Sequence, residues 1–181
     1  MNNLVENLLA VTRIEEGRLN LRISEDLIDD VITEALHHVN RKSVEHSISV
    51  ESEEDFLLAK MDARLIVQVI INIVNNAVKY TPEGSDICLS AKKENSMVRI
   101  EIADNGPGIS DEAKQRLFDM FYTVNTGSAG ADSRRGLGLG LSLCKSIVEA
   151  HGGSITVHDN QPHGAVFSFT LPLEEVRIQN V

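Results

Sequence analysis

Two asparagines spaced four residues apart, Asn72 and Asn76, lie in the stretch MDARLIVQVIINIVNNAVKYTPEG, with Lys79 three residues further on. On a helix this spacing sets all three along one face. Neutral amide oxygens plus one ammonium suit a hydrated Mg²⁺ carrying a polyphosphate, because that ion keeps several waters and needs few protein ligands. A solvated polar helix face accounts for the same pattern equally well. Downstream, Asp104-Asn105-Gly106-Pro107-Gly108 closes a strand pattern. A carboxylate there can accept a hydrogen bond from an exocyclic amine such as adenine N6, while Gly106 and Gly108 let a base approach the main chain. Taken alone, such a turn is common. Gly136, Gly138 and Gly140 then alternate with Leu137, Leu139 and Leu141 where a helix begins. Main-chain N–H groups at that place can point at phosphate oxygens, assisted by the helix dipole, while the leucines read as core. Each glycine is about 1 kcal/mol worse than alanine inside a helix, which counts against a merely structural role for three of them.

The elements that must position these residues follow from periodicity. Leu65, Ile66, Val69, Ile70, Ile73, Val74 and Ala77 recur at three- and four-residue steps and predict an amphipathic helix over 62–80. Asp62 stands where an N-cap belongs, and Thr81-Pro82 with Gly84 gives the stop. A helix over 2–16 carries an apolar stripe from its second residue and ends at Gly17, which reads as the remainder of a longer element. An extended segment over 18–23 and a helix over 26–40 follow. Strands are expected over 48–51 and 57–61, separated by a charged turn, and over 87–92 and 97–104. Val98, Ile100 and Ile102 alternate with Arg99 and Glu101, as in an antiparallel sheet wet on one side. A short helix over 110–117 has Ser110 as its N-cap. A loop rich in Gly, Ser and Ala over 125–136 reads as a lid carrying Arg134 and Arg135. A helix over 137–151 and a hairpin of 155–157 with 165–171 complete an α+β, two-layer α/β sandwich: a mostly antiparallel sheet on three main helices.

At 181 residues the chain has room for one good core but not for two full domains. A net charge of −10 argues against a nucleic-acid or anionic-membrane surface, though not against a nucleotide bound through local positive charge. Trp is absent and aromatics are few, so a stacking platform for single strands is not expected. Cys88 and Cys144 lie in no metal-spaced cluster and read as buried thiols of a reducing compartment. No run of eighteen apolar residues occurs, so the expectation is a cytoplasmic domain with no direct membrane contact.

The order of an Asn-bearing helix, an Asp-x-Gly-x-Gly turn, an aromatic patch (Phe118, Phe121, Tyr122) and alternating Gly-Leu resembles the catalytic, ATP-binding domain of sensor histidine kinases. That domain belongs to the wider superfamily that also holds gyrase, Hsp90 and MutL. Each motif is weak alone; four in this order are specific, and the resemblance covers nearly all of the chain. It implies a GHKL-type sandwich over 20–175, preceded in 1–19 by the end of a dimerisation and phosphoacceptor hairpin with its linker and followed by a tail over 176–181. The resemblance implies ATP and Mg²⁺ as cofactors, with Asn76 and Asn72 at the metal and Asn72, Lys79, Arg134 and Arg135 acting in phosphoryl transfer. Asn76, Lys79, Tyr80, Asp104, Gly106, Gly108, Gly136, Leu137, Gly138, Leu139, Gly140 and Thr170 are implied at the nucleotide. It also implies a homodimer in the intact kinase, a phosphoacceptor histidine hairpin and a response regulator as partners. The strings MDARLIVQVIINIVNNAVKYTP, DNGPGI and RRGLGLGLSLCKSIVEAHGG are most similar to the Kdp-type, potassium-responsive branch.

Two departures bear on mechanism. Relatives often carry Arg after the Phe-Tyr pair, where it reaches the terminal phosphate; here that position is Thr123, leaving Arg134 or Arg135 to supply the charge. The gyrase, Hsp90 and anti-sigma branches place a basic Glu four residues before the metal Asn, where this chain has Asn72. An amide takes no proton from water or a hydroxyl near neutral pH, so histidine is favoured over serine as acceptor and hydrolysis should be slow. The histidines are His37, His38, His46, His151, His158 and His163, and none precedes the acidic and Arg-Thr-Pro-like run of an acceptor helix. His151, before two glycines, reads as a helix-capping or dipole-stabilising residue. Two other readings fit parts of the pattern: a regulatory nucleotide-binding module without transfer, and an anti-sigma-type serine kinase.

Overall fold

The computed structural model describes residues 20–39, 45–52, 56–123 and 138–173. The helix expected over 2–16, the 1–19 and 176–181 segments, the lid, Arg134, Arg135, Gly136 and Leu137 lie outside the described residues. Seven strands are described: β1 (Ser24–Leu27), β2 (Ser47–Ser52), β3 (Leu58–Met61), β4 (Asp86–Glu94), β5 (Met97–Asp104), β6 (Ile155–Asp159) and β7 (Ala165–Pro172). The helices are α1 (Ile28–His37), α2 (Ala63–Tyr80), α3 (Asp111–Arg116) and α4 (Gly140–Ala150). A five-stranded sheet in the order β2-β4-β5-β7-β6 is antiparallel except at its β2–β4 edge, and β1 with β3 forms a separate two-stranded ribbon. This is the mixed, mostly antiparallel two-layer sandwich that the patterning predicts.

The core lies between one face of the sheet and the helices. Ile66, Val69, Ile70, Ile73 and Val74 of α2 meet Leu89, Ile100, Ile102 and Phe169 of the sheet and Leu143, Ile147 and Val148 of α4, all fully buried. On the opposite face β5 is polar: Arg99 pairs with Glu94 and donates to Ser168 Oγ (2.9 Å), and Lys92 faces Glu101. The alternation along β5 therefore has the physical cause read from it, one face dry and one wet.

Several boundaries differ from the pattern. Among the described residues the strand at this end lies at Ser24–Leu27, just past the expected segment, because pairing with Leu58–Met61 selects those four residues. Leu27 is still a strand residue, so α1 starts at Ile28, whose N–H donates to the Leu57 carbonyl (3.0 Å). β2 and β3 do not pair with each other: β2 forms the parallel edge of the main sheet and β3 joins β1. Helix α4 begins at Gly140, three residues later than periodicity suggests, because Gly138 has φ of 68°, outside the helical region. Ser110 caps α3 as expected, its hydroxyl accepting from Ala113 N–H at 3.3 Å. Of the two thiols, Cys144 is buried whereas Cys88 is only half-buried.

Asp62 occupies the N-cap position of α2, but its carboxylate does not cap. It takes two hydrogen bonds from Arg64 (3.2 and 3.0 Å) and one from Arg22 N–H (3.0 Å). Burial pushes this carboxyl up, but the Arg64 hydrogen bond, the Arg22 N–H and the Arg64 charge outweigh burial and hold it below the usual 3.8. A depressed carboxyl contributes stability that is present above its unfolded value and is lost as pH falls through the folded one. The stability gap between the native chain and Asp62→Asn, read from urea midpoints, is therefore expected to stay constant above about pH 5 and to close in more acidic buffer. A gap independent of pH would refute this account of the ion pair.

Candidate functional site

Helix α2 is the backbone of the site. Its apolar stripe faces the core, so Asn72 and Asn76 fall on a half-exposed flank. Two loops abut that flank. At one point Gly140 lies so close that a Cβ there would stand 3.9 Å from Asn72 Cγ. At the other, a Cβ on Gly106 would stand 2.5 Å from Thr81 Cγ2. Nine residues of helix separate Asn72 from Thr81, about 13 Å at 1.5 Å per residue, and Asn76 sits between them. The glycine-rich start of α4 and the Asp104 turn thus flank one stretch of one helix.

Asp104, at the end of β5, is buried. Its Oδ1 accepts from Gly106 N–H (2.9 Å) and Ala165 N–H (3.3 Å), while Oδ2 takes no hydrogen bond from the described residues. The turn that follows is held tightly. Gly108 has φ of 77°, a conformation that side chains rarely adopt, and lies against the Gly164 carbonyl. Thr81 donates to the Ala77 carbonyl (2.8 Å) and accepts from His46 Nε2–H (3.0 Å), which fixes the methyl that excludes a side chain at Gly106. Tyr80 is exposed, and Lys79 Nζ bonds its hydroxyl at 3.1 Å while lying 4.7 Å over its ring.

At the other loop, Gly138 has φ of 68° and packs on the chain of Phe121 and Tyr122, where a Cβ would stand 2.5 Å from the Tyr122 carbonyl oxygen. Its own carbonyl accepts from Phe121 N–H (3.0 Å). The glycine is therefore required by a close approach, a reason that the alternating pattern did not disclose. Leu139 is buried and its carbonyl accepts from Ser142 Oγ and Leu143 N–H, so only its main-chain N–H is available to a ligand. Helices α2 and α4 run antiparallel, since His151 at the end of α4 meets Asp62 at the start of α2. That arrangement aims the positive end of the α4 dipole at the Asn72–Asn76 flank.

The His151 ring sits at the C-cap position of α4 but does not stabilise its dipole by charge. Nε2 accepts from Asp62 N–H (2.9 Å) and Nδ1 donates to the Ile147 carbonyl (2.7 Å), an arrangement that only the neutral ring satisfies. Asn72 turns its Nδ2 into the interior, where it finds no hydrogen-bond partner among the described residues, next to Cys144. Burial pushes the Cys144 thiol up to about 12, with the nearby Asn72 amide acting in the opposite direction. That thiol is inert, and the Asn72 amide oxygen is the end presented away from the core.

One expected site residue is displaced. Thr170 bonds Ser154 N–H through its hydroxyl (3.0 Å) and pairs with Arg99, whereas the Asp104 end of the same strand is Ala165. Five residues of strand place Thr170 about 17 Å from Asp104. Alternation identifies a residue's face but not which end of its strand adjoins a site. In the aromatic patch, Phe118 packs edge-on against Phe167 (6.5 Å), Tyr122 lies under the Arg116 guanidinium, and Phe121 is exposed with φ of 63°. Contributors absent from the motif reading are Thr81 and the Asn160–Gly164 turn, both of which look in sequence like ordinary punctuation.

A sheet covered on one face by antiparallel helices, with glycine turns flanking a central Asn-bearing helix, defines the ATPase-type α/β sandwich. The chain belongs to the histidine kinase-, DNA gyrase B- and HSP90-like ATPase family, whose model matches residues 61–175, and within it to the histidine kinase catalytic domains. It is 43% identical over 171 residues to the sensor protein KdpD of Clostridium acetobutylicum, covering 94% of this chain and 19% of that one. The chain thus spans about a fifth of that relative's length. The catalytic domain of histidine kinase ThkA superposes with a TM-score of 0.73 at 30% identity, over 83% of this chain and 95% of that one. Full-length ShkA in complex with AMPPNP superposes with a TM-score of 0.81 at 25% identity, over 94% of this chain and 35% of that one. ThkA in complex with the response regulator TrrA gives 0.73 at 28% identity, over 96% of this chain and 49% of that one. Among the described residues no helix is long and apolar enough to cross a membrane.

Proposed function

We propose that this domain binds Mg·ATP along the α2 flank and presents the γ-phosphoryl group to a histidine on a phosphoacceptor hairpin, for relay to an aspartate of a response regulator. One observation carries the reading: Gly140 against Asn72 and Gly106 against Thr81 bracket Asn76 on a single helix. In it Asp104 Oδ2 accepts from the adenine amine, Gly106 and Gly108 admit the base, and Tyr80 and Lys79 lie at the same end of α2. The N–H groups of Gly136–Gly140 and the α4 dipole hold phosphate oxygens. Arg134 or Arg135 neutralises the terminal phosphate in place of an arginine at Thr123.

The donor set fits Mg²⁺. Asn72 presents its amide oxygen with its nitrogen inward, Asn76 follows one turn on, and no cluster of three His, Cys, Asp or Glu exists among the described residues to form a protein cage. Such a site takes an ion that arrives on phosphates and keeps its waters. Bound there, the ion would neutralise charge on the transferring phosphoryl group. The chain's own contribution is positioning and charge neutralisation, which is most of what phosphoryl transfer demands. Asn72 offers no base, so an acceptor that already carries a lone pair, an imidazole, suits the site better than a serine hydroxyl.

The intact protein is, in this reading, a homodimeric Kdp-type sensor for potassium or osmotic stress. Residues 20–175 form its cytoplasmic catalytic domain and 1–19 the end of its hairpin. The test is calorimetric titration with a non-hydrolysable ATP analogue, with and without Mg²⁺, followed by incubation with ATP and the hairpin supplied in trans. Binding in Mg²⁺ is expected to weaken roughly tenfold in Asn76→Ala, about 1.4 kcal/mol, and to change little without the ion. The phosphoprotein should be acid-labile; acid-stable phosphate would indicate serine transfer, and binding without transfer a regulatory module.

A further inference from the structure

The connection between β6 and β7 is fastened to the Asp104 turn far more heavily than a hairpin requires. Asn160 Nδ2 donates to the Asp104 carbonyl at 2.8 Å. Asn160 N–H donates to the Gly164 carbonyl (3.0 Å), and Ala165 N–H to Asp104 Oδ1 (3.3 Å). His163 Nδ1–H reaches the Gly106 carbonyl at 3.2 Å. Gly164, with φ of 114°, lies so close that any side chain there would overlap the Asp104 carbonyl. The amide of Asn160 has one orientation only, because its Oδ1 accepts from Gln161 N–H (2.9 Å) while its Nδ2 faces a carbonyl. Regular pairing between β5 and β7 ends at Ala103 and Val166. On that side, among the described residues, Asp104 is hydrogen-bonded by Asn160 and Ala165, with Gly164 packed against its carbonyl.

We propose that Asn160 is a positioning residue: by gripping the Asp104 carbonyl it sets the direction of the Asp104 carboxylate, and with it the preference for adenine over guanine. This rests on the assignment of Asp104 to the base made above. Adenine offers a donor amine where guanine offers a carbonyl oxygen, so a carboxylate aimed at that point accepts from one and repels the other. Discrimination of this kind falls away steeply if the carboxylate swings.

The experiment is competition binding of AMPPNP and GMPPNP to the full chain and to two variants. Asn160→Asp is nearly isosteric, keeps the acceptor for Gln161 and sets an oxygen against the Asp104 carbonyl; Asn160→Ala removes both bonds. AMPPNP is expected to bind about fivefold more weakly, and the adenine preference to shrink by a similar factor. An unchanged preference in the variants, or equal weakening for both nucleotides, would reduce Asn160 to a structural turn residue and overturn the proposal. Should Asn160→Ala fail to fold, Asn160→Asp, which retains the turn bond, carries the test. Asp104→Asn is measured alongside: if it too binds AMPPNP normally, the base assignment has failed, whereas normal binding by the Asn160 variants alone defeats only this proposal.

Discussion

Asp104→Asn is expected to weaken binding of an ATP analogue by roughly 100-fold or more, about 2.7 kcal/mol, while the domain stays folded. The amide can keep its oxygen where Oδ1 now accepts from Gly106 and Ala165 N–H, so the turn retains both bonds. Its nitrogen then replaces Oδ2 and confronts the adenine amine, donor against donor. A charged hydrogen bond contributes about 1.5–3 kcal/mol, and a buried donor left unsatisfied costs about 1–3 more. Asp104→Ala is a poorer probe, since it also strips the turn of its acceptor. Calorimetry reads the affinity and circular dichroism the fold. Native-like affinity in a folded Asp104→Asn chain would remove the base-reading role from this carboxylate.

Gly164→Ala should lower the melting temperature by about 10 °C or more, whereas Gly84→Ala should lower it by only a few degrees. Both glycines have positive φ, 114° and 83°, so both substitutions force a side chain into a backbone region it avoids. That shared strain is worth about 1–3 kcal/mol. The surroundings separate them: nothing lies within 4 Å of a Cβ on Gly84, while one on Gly164 overlaps the Asp104 carbonyl and crowds Asn105 Cα. Main chain cannot rotate aside as a flexible side chain can, and overpacking of this sort adds about 1–3 kcal/mol. Equal melting shifts for the two variants would mean that the Asp104 turn yields readily, against the packing described.

How much of this was legible in the sequence depended on whether the determining force was local. Helix α2 was read almost to the residue because its stripe repeats at the helical period and both ends carry stop chemistry. Strands β4 and β5 and the cap at Ser110 were legible for the same reason. Strand partners were not: alternation states which face is dry but not that β3 joins β1 and leaves β2 to the sheet edge. The start of α4 was misplaced because Gly138 serves a contact with Phe121 and Tyr122, a long-range demand with no local signature. The Asp104 turn was found through its spacing, yet its grip by Asn160 comes from residues 56 positions away. Thr170 fell at the far end of β7 because register along a strand is fixed by pairing, which periodicity does not encode. Asp62 was placed correctly and assigned the wrong partner, since Arg22 and Arg64 compete for its carboxylate.

The neutral ring of His151 limits how the two walls of the groove can part. Its Nδ1–H holds it to the last turn of α4, and its Nε2 accepts from the N-cap residue of α2, Asp62, joining the two helices through one bond. Sliding α4 lengthwise would break the Asp62 bond, while the Ile147 bond, internal to α4, travels with the helix. Tilting about that end leaves the Asp62 bond in place, and the lever arm of eleven residues is longest at Gly140. Any rearrangement transmitted by this helix is therefore a pivot with its fulcrum at the end remote from the glycines.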